Sequence, residues 1–286
     1  MKILEKISQC RSEVDILKKR GYKIGLVPTM GYLHEGHLSL ARLAKKECDA
    51  VFMTIFVNPA QFGPSEDLDK YPRNPERDAL LAEKTGTDYI FKPAPDEIYK
   101  KDYGTYVEVE GLSDIMCGEH RPGHFKGVAT IVLKLFNIIC ADRAYFGRKD
   151  YQQLAIIKKM VSDLDIDIEI IECPTIREES GLALSSRNKY LGPGERKNAA
   201  VIYENLKNVE KGVNAGERDP EKLRRKAIKD LKKNIYIKKI DYFDIRDAQN
   251  LRRMTEIDRS KDILVAAAAW AGKTRLIDNI VIDKKK

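Results

Sequence analysis

Two histidines, His34 and His37, stand three residues apart, just after an apolar run over residues 23–28 and a turn containing Gly31. Residues 27–38 (VPTMGYLHEGHL) read as a buried strand that stops at Pro28, a glycine turn, and a helix that starts near Gly36. In an open α/β sheet, ligands bind at the carboxyl ends of strands, and helix starts there present unpaired N–H groups and a partial positive charge that suit phosphate. Residues three apart in a first helical turn lie on one side. Both imidazoles can therefore hydrogen-bond phosphate oxygens and offset charge that develops during group transfer. The plainer alternative is a pair of ordinary surface or core histidines. The chain has only 4 histidines, and two of them beside one glycine turn after the first strand favour chemistry.

A second candidate is Leu184-Ser185-Ser186-Arg187-Asn188, in a glycine-containing loop. Two hydroxyls and a guanidinium can wrap a triphosphate tail, since Arg gives bidentate contacts and Ser a donor that rotates to fit. Such loops are common, so this one gains meaning only beside the two histidines. Three other patterns carry no chemistry. Ala271-Gly272-Lys273-Thr274 mimics the end of a phosphate-binding loop, but Ala267 stands where a glycine is needed and a strand precedes it. Cys117, His120 and His124 have zinc-like spacing without a second cysteine pair. No Gly-x-Ser-x-Gly or catalytic cysteine motif points to a hydrolase.

These residues need elements to hold them. Strand signals at 23–28, 50–57 (AVFMTIFV), 88–91, 143–146 and 166–173 alternate with helical patterns at 36–48, 75–85, 127–140 and 151–164. Strands separated by helices imply βαβ units and a parallel sheet. After about residue 175 the pattern changes. A loop (176–188) precedes two amphipathic helices (193–211 and 220–234) and three strands (237–244, 262–269 and 275–282), as in a small α+β domain. The expected division is residues 1–175 and 176–286.

The 286 residues carry a net charge of +8, which suits anionic ligands: nucleotides, small acids or nucleic acid. The densest basic stretch, residues 222–239, reads as a solvated helix face, and Lys284-Lys285-Lys286 as a frayed tail. No apolar run approaches the roughly 18 residues that span a bilayer, and the charged N-terminus lacks the apolar segment of a secretory signal. Neither a membrane nor a nucleic-acid partner is expected. Cys10, Cys48, Cys117, Cys140 and Cys173 are odd in number and widely spaced, which fits buried thiols in a reducing cytoplasm.

The two candidate motifs together resemble the HIGH and KMSKS signatures of the nucleotidyltransferase superfamily, which includes class I aminoacyl-tRNA synthetases. Residues 27–38, 56–63 (FVNPAQFG), 67–73 (DLDKYPR), 121–128 (RPGHFKGV), 145–153 (YFGRKDYQQ) and 182–190 (LALSSRNKY) are collinear. Together they are similar to the pantothenate synthetase (pantoate–β-alanine ligase) family over nearly the whole chain. The resemblance implies a Rossmann-like parallel-sheet N-terminal domain with a smaller α+β C-terminal lid, a cytoplasmic homodimer, and ATP-dependent joining of pantoate to β-alanine through a pantoyl-adenylate, with Mg2+. It implies that Met30, Gly31, Tyr32, Leu33, His34, Glu35, Gly36 and His37 line the ATP site. Gly147, Arg148, Lys149, Asp150, Ile176, Leu184, Ser185, Ser186 and Arg187 would also meet the nucleotide, the last four closing over its phosphates. Gln61 and Gln153 would hold pantoate, since an amide both donates to and accepts from hydroxyl and carboxylate groups, and Asn58 would help beside the β-alanine or phosphate end. His37, His34 and Lys149 would carry catalysis. Arg121 and His124 either order their Pro-Gly loop or stand behind the site. No residue is identified as a metal ligand.

The chain departs from the family at Leu184, where Met is commonest, a volume-conserving swap, and at Arg148, where an acidic or amide residue is frequent. Two rival readings exist. One is a nucleotidyltransferase acting on a phosphorylated headgroup. The other is a synthetase-like RNA-binding module, disfavoured because no anticodon-binding extension follows and the Ser185-Ser186-Arg187 loop lacks a second lysine.

Overall fold

A strand made of apolar residues without polar alternation must be covered on both faces, as in parallel sheets flanked by helices. The computed structural model, which describes residues 1–64 and 66–284, realises this. Lys285 and Lys286 of the basic terminal triplet lie outside the described residues. Strands β1 (Lys2–Leu4), β2 (Ile24–Val27), β3 (Ala50–Thr54), β4 (Tyr89–Phe91), β5 (Arg143–Gly147) and β6 (Glu169–Cys173) form one sheet in the order β1-β4-β3-β2-β5-β6. Every pairing is parallel. β2 and β3 are buried along their whole length. From β2 the chain steps to β3 and β4 on one side, then adds β5 and β6 on the other. The strand order thus reverses between β2 and β5, where crevices form at the carboxyl ends.

Helices α1 (Ile7–Lys19), α2 (Glu35–Glu47), α3 (Pro75–Glu83), α4 (Pro95–Ile98), α5 (Cys117–His120), α6 (His124–Ile139) and α7 (Tyr151–Asp163) join these strands. α2 buries Leu38, Leu40, Ala41 and Ala44 against Val51 and Met53 of β3 and Ile90 of β4. α6 is buried nearly all round and begins earlier than expected, because Gly123 supplies a left-handed N-cap at φ +78. β1 and α1 were not expected. α1 buries only Cys10, Val14 and Leu17, a narrow stripe hidden among charged residues.

The chain divides into two compact units, Met1–Arg148 with Ile156–Pro174, and Lys149–Ala155 with Thr175–Lys286. The division is not a single cut near residue 175, since the segment Lys149–Ala155 belongs with the C-terminal unit. That unit is α+β. Helices α8 (Pro193–Ala199), α9 (Val201–Asn214) and α10 (Pro220–Lys232) accompany the antiparallel sheet β7 (Ile237–Asp247), β8 (Ile263–Ala271) and β9 (Thr274–Ile282). Its core joins Ile202, Leu206 and Val209 of α9 and Leu223, Ala227 and Leu231 of α10 to Phe243, Ile245, Val265, Ala267 and Ala269. The alternate residues of β8 point to this core, as the two-residue period of a strand requires.

Further details bear on the expected elements. The helix expected over 193–211 breaks at Ala200, where the Asn198 side chain donates to the Gly194 carbonyl at 2.9 Å and to that extent competes with the helix ladder. β7 runs on to Asp247 because Arg246 donates to Asp244 at 2.6 and 2.9 Å, which lets charged residues be buried in a strand. Gly272-Lys273 is the two-residue turn of the β8–β9 hairpin, with Ala271 paired to Thr274, so the mimic of a phosphate loop is a hairpin turn. Among the described residues the five cysteines are free, four of them buried and Cys140, against expectation, exposed, and no helix is long and apolar enough to cross a membrane.

Candidate active site

In the larger unit, β2 ends at Val27 and the chain must turn before α2. Thr29 anchors the turn: its hydroxyl donates to the Thr54 carbonyl at 2.5 Å and accepts from Gly31 N at 3.1 Å. Gly31 and Tyr32 follow with positive φ, +80 and +50, a conformation that strains any residue other than glycine. A buried carboxylate holds them there. Asp78 of α3 accepts from Tyr32 N and Leu33 N, each at 2.7 Å, and Arg77 donates to the Leu33 carbonyl at 2.9 Å. Charge-assisted bonds of this kind are about twice as strong as neutral ones.

His34 is the N-cap of α2, with its Nδ1 accepting from Gly36 N at 3.2 Å. His37 Nδ1 accepts from His34 N at 3.4 Å, and the ring centroids lie 4.0 Å apart. Because both Nδ1 atoms accept from backbone N–H groups, each neutral ring carries its proton on Nε2. The helix start therefore offers two imidazole N–H donors beside its own positive end. Met30, Tyr32, Gly36 and His37 are half-buried, and Gly31 and Leu33 buried. Glu35 is exposed, and its carboxylate is paired with Arg42 at 3.1 Å. That pairing holds the Glu35 carboxyl below the usual range, first through hydrogen bonding to the guanidinium.

After β3, Asn58 caps a single 3-10 turn, Pro59–Gln61. Asn58 and Gln61 are both buried, so neither is a solvated amide. Asn58 Nδ2 donates to Gln61 Oε1 and to the Gly127 carbonyl, each at 3.1 Å, and Tyr99 OH donates to Asn58 Oδ1 at 2.7 Å. Gln61 Nε2 points at Met30 Sδ, 3.1 Å away, which brings this turn to the histidine loop. Helix α6 packs closely here: a Cβ on Gly127 would sit 2.2 Å from the Ala60 carbonyl oxygen. Arg121 and His124 order this region. Arg121 holds Glu66 at 2.6 and 2.7 Å and meets His124 Nε2 at 2.9 Å, while His124 Nδ1 donates to the Gln61 carbonyl at 2.9 Å. At the end of β5, a Cβ on Gly147 would meet nothing within 4 Å. Arg148 is paired with Glu172 of β6 at 2.8 Å, which gives this unusual arginine a structural partner.

In the smaller unit, Lys149 is half-buried with its Nζ 3.8 Å from Asp150, and its carbonyl accepts from Asn279 Nδ2 at 2.8 Å. Gln153 is half-buried and Gln152 buried. Ile176 and Leu184 are joined across a small turn, Leu184 N donating to the Ile176 carbonyl at 3.0 Å. Ser185 then caps the 3-10 turn Ser186–Tyr190 by accepting from Arg187 N at 3.3 Å. Arg177 fixes the base of this loop. It donates to Asp278 at 2.6 and 2.9 Å and to the Gly181 carbonyl at 3.1 Å, and stacks on Tyr203 at 3.7 Å.

Residues 2–281 match the family model described as pantoate-beta-alanine ligase. The chain belongs to the pantoate-beta-alanine ligase family. It is 53% identical over 283 residues to the pantothenate synthetase of Caldicellulosiruptor saccharolyticus, covering 99% of this chain and 100% of the relative. It is 51% identical over 285 residues to that of Caldicellulosiruptor bescii, covering 100% of both. The crystal structure of the Thermus thermophilus pantothenate synthetase matches with a TM-score of 0.90 at 40% identity over 98% of this chain and 99% of that one. The Francisella tularensis ligase, crystallised with a βγ-ATP compound and β-alanine, matches with a TM-score of 0.80 at 36% identity over 98% and 97%. The parallel α/β unit and smaller α+β unit are thus the fold of this family.

Within that fold, sequence reasoning missed Thr29, Asp78, Tyr99, Gly127 and Asn279, which contact candidate residues, and Arg177 and Asp278, which fix the base of the loop that carries Leu184–Arg187. Gly127 lies inside a quoted motif and could have been found as a helix glycine with no local reason to exist. Thr29 also lies inside a quoted motif and accepts from Gly31 two residues on, but its bond to Thr54 and those of the others cross sequence separations that no local signal marks.

Proposed function

We propose that this chain catalyses the ATP-dependent condensation of pantoate with β-alanine to pantothenate through a pantoyl-adenylate, releasing pyrophosphate and AMP. One observation carries the reading: Gln61 Nε2 lies 3.1 Å from Met30 Sδ. The amide turn after β3 and the histidine loop after β2 are therefore one continuous surface of the larger unit. A carboxylate held beside an α-phosphate is what acyl adenylation needs.

In the first step a pantoate carboxylate oxygen attacks the α-phosphorus, the bond to the bridging β-phosphate oxygen breaks, and pyrophosphate leaves. In the second the β-alanine ammonium first loses a proton, its free amine nitrogen attacks the acyl carbon, the C–O bond to AMP breaks, and a second proton leaves to solvent, one remaining on the amide. His34 and His37 donate from Nε2 to oxygens on which charge develops. Gln61, with Asn58 behind it and Gln153, binds the substrate acids. Lys149, Asp150, Ile176 and Leu184–Arg187 serve the nucleotide, with Lys149 and Arg187 supplying positive charge to phosphate. Gly147 leaves room for backbone approach.

Mg2+ is part of this reading as a partner of the phosphates. Among the described residues no group of three or more His, Cys, Asp or Glu side chains is placed to hold a metal. The ion would travel with ATP, where it neutralises phosphate charge and needs few protein ligands. We further take the protein to be a cytoplasmic homodimer, a state that light scattering on the purified protein would test. The function itself is tested by product analysis. Pantothenate and AMP should form in equal amounts from pantoate, β-alanine and ATP, and ADP with inorganic phosphate would contradict the adenylate.

A further inference from the structure

The orientation of a buried amide decides what it offers a ligand, and here it is over-determined. The Gly127 carbonyl can only accept and Ala60 N–H can only donate. The Asn58 atom 3.1 Å from Gly127 O must therefore be Nδ2, and the one 3.3 Å from Ala60 N must be Oδ1. Tyr99 OH adds a second donor to Oδ1 at 2.7 Å. The remaining proton of Nδ2 points at Gln61, 3.1 Å away, and requires an acceptor there. Gln61 must then face Asn58 with Oε1, which leaves Nε2 on the side of Met30. Nε2 carries two N–H groups, and its partner among the described residues is a thioether at 3.1 Å, a weak acceptor.

We propose that Tyr99 and Asn58 are positioning residues that lock the Gln61 amide so that the acid substrate meets an N–H donor and never a carbonyl acceptor. Gln61 then selects for an oxygen on the substrate, carboxylate or hydroxyl. A donor on the substrate would confront another donor, the kind of mismatch by which polar sites discriminate most strongly. Tyr99 is built for a constant role. Burial, with Tyr103 and Tyr106 beside it, raises its phenol well above the usual range, so it stays a donor at any working pH. Its ring is wedged between Phe56, at 6.4 Å, and Tyr103, edge-on at 5.0 Å.

The inference rests on the proposed acid-binding role of Gln61, and the test separates the two. ATP–pyrophosphate exchange is measured with pantoate in wild type, Tyr99→Phe and Gln61→Glu, with thermal melting of each. Losing one neutral hydrogen bond of a relay corresponds to a factor of about 3 to 10. Tyr99→Phe should raise the pantoate KM by that factor while leaving the ATP KM within about twofold. Gln61→Glu replaces the donor by an acceptor and should raise the pantoate KM by about 100-fold or more. An unchanged pantoate KM in either variant, or a parallel rise in both KM values for Tyr99→Phe, would overturn the inference while leaving the function intact. No pantoate-dependent exchange in wild type would remove the functional reading and this inference with it. If Tyr99→Phe does not fold, Asn58→Asp, which removes the N–H that fixes Gln61 Oε1, takes its place with the same expected and overturning results.

Discussion

Asn279 and Lys149 lie 130 residues apart in sequence, yet the Asn279 side-chain amide donates to the Lys149 carbonyl at 2.8 Å. The neighbouring Asp278 holds Arg177 through two bonds, and Arg177 in turn donates to the Asn279 carbonyl at 3.2 Å. One pair of residues on β9 thus anchors both Lys149 and the loop that leads to Ser185, Ser186 and Arg187. Asn279→Ala should free the Lys149 backbone, and small misplacements of a charge-stabilising group cost about 10- to 100-fold in rate. Steady-state kinetics should show kcat falling by about that factor with the pantoate KM unchanged. A wild-type kcat would mean that the backbone of Lys149 needs no such anchor.

The two histidines have separable jobs. His34 caps α2 through Nδ1, and loss of an N-cap costs about 1 kcal/mol. Asn caps as well as any residue but has no counterpart of Nε2–H at that reach. His34→Asn should therefore melt close to wild type yet lose about 100-fold or more in rate, whereas His34→Ala should lose both. His37→Ala should also fall by about 100-fold or more. Near-normal turnover in these variants would contradict their role at phosphate.

Gly127 exists for a close approach. A Cβ there would meet the Ala60 carbonyl carbon at 2.4 Å and Gln61 N at 2.6 Å, so the backbone of the amide turn must move. Overpacking of this sort costs about 1–3 kcal/mol. Gly127→Ala should lower the melting temperature and raise the pantoate KM more than the ATP KM, because the displaced residues are Ala60 and Gln61. Equal effects on both substrates would place the damage elsewhere.

The Glu66–Arg121 pair predicts a pH signature. Burial pushes the Glu66 carboxyl up, but the bonds and charge of Arg121 outweigh it, and the group ends below the usual carboxylate range. A carboxyl depressed in the folded state contributes stability above its unfolded value, about 4.3, and loses it as pH falls through the folded value. Glu66→Gln should thus be destabilised by about 1.5 kcal/mol at neutral pH, with the gap to wild type closing below about pH 4. Denaturant melts from pH 7 downward would show it, and a gap that does not narrow at all below about pH 4 would contradict the assignment.

How much of this was legible in the sequence follows from range. The His34–His37 pair is local: an N-cap, a first helical turn and a glycine before it, all within a few residues. The central strands were legible because parallel strands bury both faces and so read as apolar runs. Asp78 reaches Tyr32 across 46 positions and Tyr99 reaches Asn58 across 41, separations for which periodicity has no signal. The end of β7 was hidden because Asp244 and Arg246 look like surface residues until each is seen neutralising the other. The roles of Gln61, Lys149 and Ser185 came from resemblance to a family. Geometry adds the chain of bonds that gives the Gln61 amide its direction.

The most direct test is exchange of label from pyrophosphate into ATP with pantoate as the only acid and β-alanine absent. Pantoyl-adenylate formation predicts rapid exchange that requires pantoate, is lost in His34→Asn, and gives way to net AMP release when β-alanine is added. Exchange that ignores pantoate, or that appears only when β-alanine is present, would contradict a reaction begun by the pantoate carboxylate at the α-phosphate.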